Sequence, residues 1–137
     1  MAFHVHSMSC TECTRGTMAF RVPEDLRDCL PENAGAAALC VSCLTLQPPA
    51  TDEHIADEPD LTRISDAFPA DTDPAVSMAL LVGLLESLAL NRPKIERLIE
   101  RVESEGHDPM LILERLADDP ELNPAMDLRG RRRQLEQ

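Results

Sequence analysis

Two pairs of cysteines are the residues in this sequence whose type and spacing best suit a chemical role. They stand in the segments CTEC, at residues 10–13, and CVSC, at residues 40–43. Two thiolates of a Cys-x-x-Cys turn can reach one ion, so two such turns supply the four ligands of a tetrahedral zinc site. The sequence therefore predicts one structural Zn²⁺ ion, and iron in the same cage remains an alternative. The predicted metal ligands are Cys10, Cys13, Cys40 and Cys43.

Three further residues near these pairs are weaker candidates for ligands. Cys29 lies between two leucines of a short predicted helix, which favours a buried apolar thiol over a fifth ligand. His4 and His6 stand close to the first pair and are alternative ligands, but four thiolates already close a tetrahedral site. A redox role is the other alternative for the paired thiols themselves.

The 26 residues between the pairs can hold a strand, a short helix and a return strand. Alternating residue types predict a strand over 16–22, and a proline followed by two acidic residues predicts one or two helical turns over 23–30. AAALC leads into the second pair, and CLTLQ leaves it as another short strand. This order is typical of a zinc ribbon of short antiparallel strands, assigned to residues 1–48. A segment of that length has too little core to fold alone, and a structural metal would supply the missing stability.

The rest of the chain is predicted to consist of a linker and a helical region. Residues 49–72 are acidic and contain prolines, which predicts a linker whose one helical turn places Leu61, Ile64 and Phe68 on the body. In residues 73–137 an Asp or Asn stands close to a proline at four positions, a pattern that favours helix starts. With the ribbon, this predicts an α+β fold that ends in a bundle-like helical region. The helices are predicted at about 74–90, 93–104, 109–117 and 124–135.

The first predicted helix is apolar around most of its circumference, so it is either central to a bundle or buried against a partner. The three later helices can cover it, but they are short. Part of the face around Leu81, Leu85 and Leu88 is therefore predicted to stay open for self-association or for a partner helix. The side chains predicted to cover it from the later helices are Ile95, Leu98, Ile99, Val102, Leu111, Leu113, Leu116 and Leu128.

The charge balance is strongly acidic, with a formal net charge of −12 and Lys94 as the only lysine among 13 basic residues. Dense carboxylates keep a protein soluble, and strong salt screens their mutual repulsion, so the composition favours a halophilic protein. An acidic surface that docks a basic partner is the alternative. We expect a cytoplasmic protein with no membrane segment, because no signal peptide is visible and the most apolar stretch is too short and interrupted. Reduced thiols are the default there, which favours metal binding over disulfides.

The segment RGRRR, at residues 129–133, raises the alternative of a nucleic-acid contact through Arg129, Arg131, Arg132 and Arg133. The acidic remainder of the chain opposes phosphate binding, and arginines also favour the carboxyl end of a helix. No glycine-rich phosphate loop, His-Glu-x-x-His motif or convincing Ser/His/Asp set is present. We therefore predict a protein that is not an enzyme.

Five segments together resemble a known family: CTEC, FRVPEDLR, AAALCVSCLTLQP, LLVGLLESLALNR and RRRQLEQ. The chain is similar to small zinc-ribbon proteins of halophilic archaea, in particular an uncharacterised family with a leucine-rich helical C-terminal half. The resemblance implies a cytoplasmic zinc-binding protein with no established activity. Knuckles of this kind often read Cys-Pro-x-Cys-Gly, where glycine adopts the left-handed turn. Here Thr14 and Leu44 stand at the glycine positions, and Thr11 and Val41 at the proline positions.

The leading hypothesis is a non-enzymatic, zinc-binding adaptor that contacts another protein. The alternatives are a nucleic-acid-associated regulator that uses the ribbon and the arginine run, and a thiol sensor that releases zinc on oxidation.

Overall fold

A four-stranded mixed sheet joins the two cysteine pairs. The computed structural model describes residues 9–137, so His4 and His6 lie outside the described residues. The strand order is β3-β2-β1-β4. β1 and β2 are antiparallel, with Thr17 opposite Cys40, and β3 continues the antiparallel pattern beyond β2. The strands are β1, Thr17–Arg21; β2, Ala36–Cys40; β3, Leu46–Gln47; and β4, Ile55–Ala56.

The predicted α+β fold and most of the ribbon are confirmed. The strand expected over 16–22 is β1, and the helical turns expected over 23–30 form a 3₁₀ helix over Glu24–Cys29. The prediction of antiparallel strands alone was incomplete, because β4 pairs with β1 in parallel. β4 comes from the segment predicted to be a linker, which therefore supplies one edge of the sheet.

The segment 49–72 also contributes to the apolar core. A 3₁₀ helix over Leu61–Arg63 is capped by Asp60, whose side chain accepts a hydrogen bond from the Thr62 amide. Leu61, Ile64 and Phe68 are buried, as the sequence predicts. The division into 1–48, 49–72 and 73–137 remains a prediction, although one core contains side chains from all three segments.

The first two helices differ from their predicted bounds. α1 spans Thr72–Leu84 and α2 spans Leu88–Ser104, with a 3₁₀ turn over Leu85–Ser87 between them. The chain therefore changes direction before Pro93, which lies inside α2. Side chains satisfy the carbonyl groups at this break: Asn91 donates to the Leu84 oxygen, at 3.3 Å, and Arg131 donates to the Leu85 oxygen, at 2.8 Å. Contacts distant in sequence thus determine where α1 ends.

The last two helices, α3 over Pro109–Asp118 and α4 over Leu128–Leu135, show which start signals hold. Asp108 caps α3 by accepting hydrogen bonds from the Met110 and Leu111 amides, as the sequence predicts. Gly106 follows α2 with φ of 90°, the expected left-handed end. The predicted start of the fourth helix near 124 was wrong, because Asp127 caps α4 instead.

The prediction that part of the first helix stays exposed is also wrong. Leu81 and Leu85 are fully buried and Leu88 is 6% exposed. Most side chains predicted to cover them are buried as well, but Leu111 is 48% exposed and does not face the core. The break at 85–87 is the reason, because it folds α2 back against α1 and so encloses the face.

Helix α1 packs so closely on the sheet that only glycine fits at residue 83. A β-carbon at Gly83 would overlap the β-carbon of Leu46 and would lie 2.8 Å from its Cδ2 atom. The absence of a side chain therefore lets α1 contact β3, the strand that leaves the second cysteine pair.

Within residues 9–137 one helical stretch, Thr72–Ser104, has the length and mean hydropathy, 1.5, of a membrane-crossing helix. Two thirds of its apolar window, 67%, is buried inside the protein, as in a core helix.

Candidate metal centre

Four cysteine sulfurs meet at one end of the sheet. All four lie within 4.8 Å of one another. The sulfurs of Cys10 and Cys43 are 3.6 Å apart, and those of Cys13 and Cys40 are 3.4 Å apart. A tetrahedral ion with bonds of about 2.3 Å to sulfur requires edges of about 3.8 Å, and a disulfide requires about 2 Å. The spacing therefore fits four ligands of one ion, and none of the described cysteines forms a disulfide.

The first knuckle, residues 10–15, is a tight turn closed by main-chain hydrogen bonds. The Thr14 amide donates to the Cys10 oxygen at 3.0 Å, and the Cys10 amide donates to the Arg15 oxygen at 2.6 Å. Inside the turn, the Glu12 amide donates to the Cys10 sulfur at 3.3 Å. Donors of this kind stabilise negative charge on a thiolate, as metal coordination requires.

The second knuckle, residues 40–45, repeats the arrangement at the end of β2. The Cys40 amide donates to the Thr45 oxygen at 3.0 Å. The amides of Ser42 and Cys43 both point at the Cys40 sulfur, at 3.4 and 3.3 Å. The two knuckles are also tied directly, because the Val41 amide donates to the Gly16 oxygen at 3.0 Å.

Both knuckles contain the left-handed residue that glycine commonly supplies. Thr14 and Leu44 each have φ of 63°. The absence of glycine therefore leaves the knuckle geometry intact, and the chain accepts the steric cost of a left-handed β-carbon twice. Leu44 is buried, so its side chain has a packing role that glycine lacks, whereas Thr14 is exposed.

Two residues that the sequence did not identify contact the cysteine sulfurs: Gln47 in β3 and Thr45 just before it. Gln47 donates to the Cys10 sulfur at 3.4 Å, and its side-chain oxygen accepts from the Thr11 amide at 3.1 Å. The Thr45 hydroxyl lies 3.1 Å from the Cys43 sulfur. Their positions in CLTLQ carried no signal beyond a strand, because only the fold brings Gln47 to the first knuckle.

Burial and hydrogen bonding act differently on the four sulfurs. Burial raises the pKa of the Cys40 thiol to about 12, and burial also raises the pKa of Cys43. At Cys10 burial opposes ionisation, but hydrogen bonds from Gln47 and from the amides of Cys13 and Glu12 outweigh it and lower the pKa to about 6. Four thiolates so close together would repel one another, so ionising all four sulfurs requires a cation among them. A coordinated metal ion supplies this charge and deprotonates the thiols. The donor set therefore fits a soft or borderline divalent metal.

The segment between α3 and α4 is bonded to the second knuckle. The Asn123 amide donates to the Ser42 oxygen at 2.8 Å, and the Ala125 amide donates to the Cys43 oxygen at 2.9 Å. The segment therefore lies against the second knuckle before Asp127 caps α4. They also bring the C-terminal part of the chain to the metal ligands.

Cys29 lies apart from this cluster, as predicted. It is 2% exposed and belongs to the main apolar core. Its sulfur accepts a hydrogen bond of 3.2 Å from Arg97, whose guanidinium also binds Asp28 at 2.7 and 2.9 Å. Cys29 is thus a core thiol outside the candidate metal centre.

The arginines of the C-terminal run mostly contact the protein itself. Arg129 pairs with Asp118, and Arg131 donates to the carbonyl oxygens at the break between α1 and α2. Arg132 donates to the Met110 oxygen at 3.0 Å and pairs with Glu114 at 3.2 Å. Arg133 is exposed. A nucleic-acid contact by this run remains a prediction, and three of its four side chains already have intramolecular partners.

Comparison with known families identifies one family model that matches most of the chain. A family model described as a family of unknown function (DUF6276) matches residues 9–137. The chain belongs to this family. No curated protein matches the chain, and no solved structure matches it. The family assignment agrees with the uncharacterised status that the sequence resemblance implies, and the candidate metal centre lies inside the matched residues.

Replacing Thr14 with glycine tests the strain in the first knuckle. A left-handed residue other than glycine costs about 1–2 kcal/mol, and glycine costs about 0.5–1 kcal/mol through the entropy of the unfolded chain. We therefore expect Thr14→Gly to raise the free energy of unfolding by about 0.5–1 kcal/mol, measured by denaturant titration of the metal-loaded protein. Thr11→Gly is the matched control, because Thr11 is exposed and not left-handed. It should lower the free energy of unfolding, and a shift of both variants in the same direction would contradict the strain argument.

Proposed function

We propose that the protein is a non-enzymatic zinc protein in which one Zn²⁺ ion, held by Cys10, Cys13, Cys40 and Cys43, has a structural role. The observation that carries the proposal is the convergence of four sulfurs with separations close to a tetrahedral edge. Four protein ligands complete a tetrahedral shell, so such a site leaves no position for a reactive water or a substrate. The amides directed at Cys10 and Cys40 support thiolate ligands in both knuckles.

The first test is metal content with a matched pair of cysteine variants. Protein purified without chelator is expected to carry about one zinc per chain, measured by elemental analysis. Cys40→Ser should release the metal and loosen the two knuckles, because it removes a fully buried ligand. Cys29→Ala is the control, since it removes a buried thiol outside the cluster and should keep the metal.

Three other results of this test would change the assignment. Stoichiometric iron in place of zinc would assign a different metal to the same cage. Reduced protein with neither metal would falsify the proposed function. Full metal retention by Cys40→Ser would show that this sulfur is not a ligand.

We further propose that the protein acts through contact with another protein or with a second copy of itself. A closed metal site stabilises a surface and does not perform a reaction, which favours an interaction role. The face around Leu81, Leu85 and Leu88 belongs to the core, so it does not form the contact surface. Three large apolar side chains are exposed among the described residues, and they lie singly in the second knuckle, on α2 and on α3: Val41, Leu90 and Leu111. A nucleic-acid role is the second candidate, but the contacts of Arg129, Arg131 and Arg132 favour a structural role for the arginine run.

Mass in solution tests the interaction role. Light scattering over a concentration series at molar salt is expected to give a mass above the 15.1 kDa of one chain, or a defined protein is expected to co-purify. Binding to DNA and RNA at the same salt is expected to be negligible, because phosphate contacts weaken steeply with salt. A strictly monomeric protein without a co-purifying partner would contradict the adaptor role, and tight nucleic-acid binding would favour the second candidate.

We also propose that the protein is halophilic and cytoplasmic, and the net charge of −12 supports the halophilic part. Molar salt shortens the Debye length to about 3 Å and screens carboxylate repulsion. It also weakens exposed ion pairs such as Arg21–Asp57 and Arg97–Asp28, but pairs of this kind contribute little. The melting temperature of the metal-loaded protein is therefore expected to rise from low to molar salt. A melting temperature that is constant or falls with salt would argue against halophilic adaptation.

A further inference from the structure

The segment between α3 and α4, residues 119–127, is attached to the metal centre by its main chain. We call it the strap. Its Asn123 and Ala125 amides donate to the second knuckle, while both side chains are exposed. Leu122 and Leu128, on either side of the attachment, are 8% and 3% exposed and belong to the core. Detaching the strap from the knuckle would therefore disturb the packing of Leu122 and Leu128 and the start of α4.

The oxygens that hold the strap belong to the loop that holds the metal. Cys43 is a candidate ligand and also accepts the Ala125 amide, and Ser42 accepts the Asn123 amide. The amides of these same two residues point at the Cys40 sulfur. The peptide groups that orient the Cys40 sulfur and those that bind the strap are therefore adjacent parts of one short turn.

The pair α1 and α2 and the C-terminal helix α4 depend on this turn to different extents, because other contacts hold them. α1 and α2 pack against each other, and their buried side chains belong to the main apolar core, outside the knuckles. The surface ion pairs Arg97–Asp28 and Arg101–Asp25 add little to this packing. α4 contacts α3 through Arg129 and Arg132. Its attachments to the remaining body include the strap, the bonds of Arg131 to the break after α1, and the hydrogen bond that Arg92 of α2 donates to the Gln134 oxygen. The strap itself is also bonded at its start, where Ser65 donates to the Asp119 carboxylate at 2.7 Å.

We propose that metal occupancy controls the docking of the strap and α4, so that loss of the ion frees this C-terminal part while α1 and α2 remain packed. The inference rests on the proposed function, because it gives the structural zinc a regulatory consequence. When the second knuckle loosens, the Ser42 and Cys43 oxygens no longer hold their geometry and the strap loses both main-chain bonds. Leu122 and Leu128 then leave the core, and apolar surface that they cover becomes available.

Reciprocal coupling is the quantitative form of this proposal. If the metal stabilises the docked strap, the docked strap must strengthen metal binding by the same factor, since the two equilibria are linked. Removing one of the strap's amide donors should therefore weaken metal affinity, although Ala125 is not a ligand. A main-chain hydrogen bond of ordinary strength corresponds to roughly a tenfold effect or less.

Hydrogen exchange followed by mass spectrometry tests the proposal on the full chain with and without a zinc chelator, with metal content measured in both samples. Chelation is expected to speed exchange in residues 121–135 by roughly tenfold or more, while the buried parts of α1 and α2 stay protected. Unchanged exchange in 121–135 after complete metal removal would overturn the strap proposal and leave the zinc assignment intact. Loss of protection throughout α1 and α2 would also overturn it, because the metal would then hold the whole fold. A purified protein without bound metal would overturn the proposed function itself.

The matched variants are Ala125→Pro, which removes the amide donor, and Ala125→Ser, which keeps it at an exposed position. Ala125→Pro is expected to bind zinc severalfold more weakly in competition with a chelator and to exchange faster in 121–135 even when loaded. Ala125→Ser should match the unaltered chain in both measurements. Equal zinc affinity of Ala125→Pro and Ala125→Ser would overturn the proposed coupling between metal binding and strap docking. If Ala125→Pro fails to fold, the chelation experiment on the unaltered chain decides.

Discussion

The fold depends on a constraint at one point: four sulfurs share a volume in which four negative charges cannot coexist without a cation. Burial disfavours the charged form of Cys40 and Cys43, whereas hydrogen bonds favour it at Cys10. A divalent ion would resolve this conflict, because it would supply the positive charge where the protein supplies only neutral hydrogen-bond donors. The two knuckles therefore have a common requirement, although one precedes β1 and the other follows β2 in the sequence. The antiparallel pairing of β1 with β2 brings them together.

The backbone near this point accepts steric cost that an ordinary loop would avoid. Thr14 and Leu44 are left-handed at equivalent positions of the two knuckles. Strained backbone persists where surrounding contacts determine it. At Leu44 the compensation is visible, since its side chain is buried in the main core and so links the second knuckle to the packing of the helices.

Local signals in the sequence predicted the parts of the structure that depend on neighbouring residues. The convergence of four cysteines, the strand β1, the Asp108 cap and the left-handed end at Gly106 each follow from a few adjacent residue types. The break at 85–87 did not, because Asn91 and Arg131 satisfy its carbonyl groups from elsewhere in the chain.

Pairings distant in sequence account for the other differences at the site. The start of α4 was misplaced, because the residues after Pro124 lie against the second knuckle and Asp127 supplies the cap. Gln47 could not be assigned to the metal centre, because only strand pairing brings its amide to Cys10. Leu81 was predicted to be open for the same reason, since its burial depends on how the chain folds back after α1.

The bonds between the second knuckle and the strap also determine an order of events during synthesis. Their partners are about 80 residues apart along the chain, so loop closure makes this one of the slower contacts to form. The ribosome releases the cysteine loops long before it releases Asn123 and Ala125. A nascent chain therefore leaves the oxygens of Ser42 and Cys43 exposed to water until Asn123 and Ala125 have emerged. The approach of the two knuckles and the completion of the packing around α4 are thus separate steps in time.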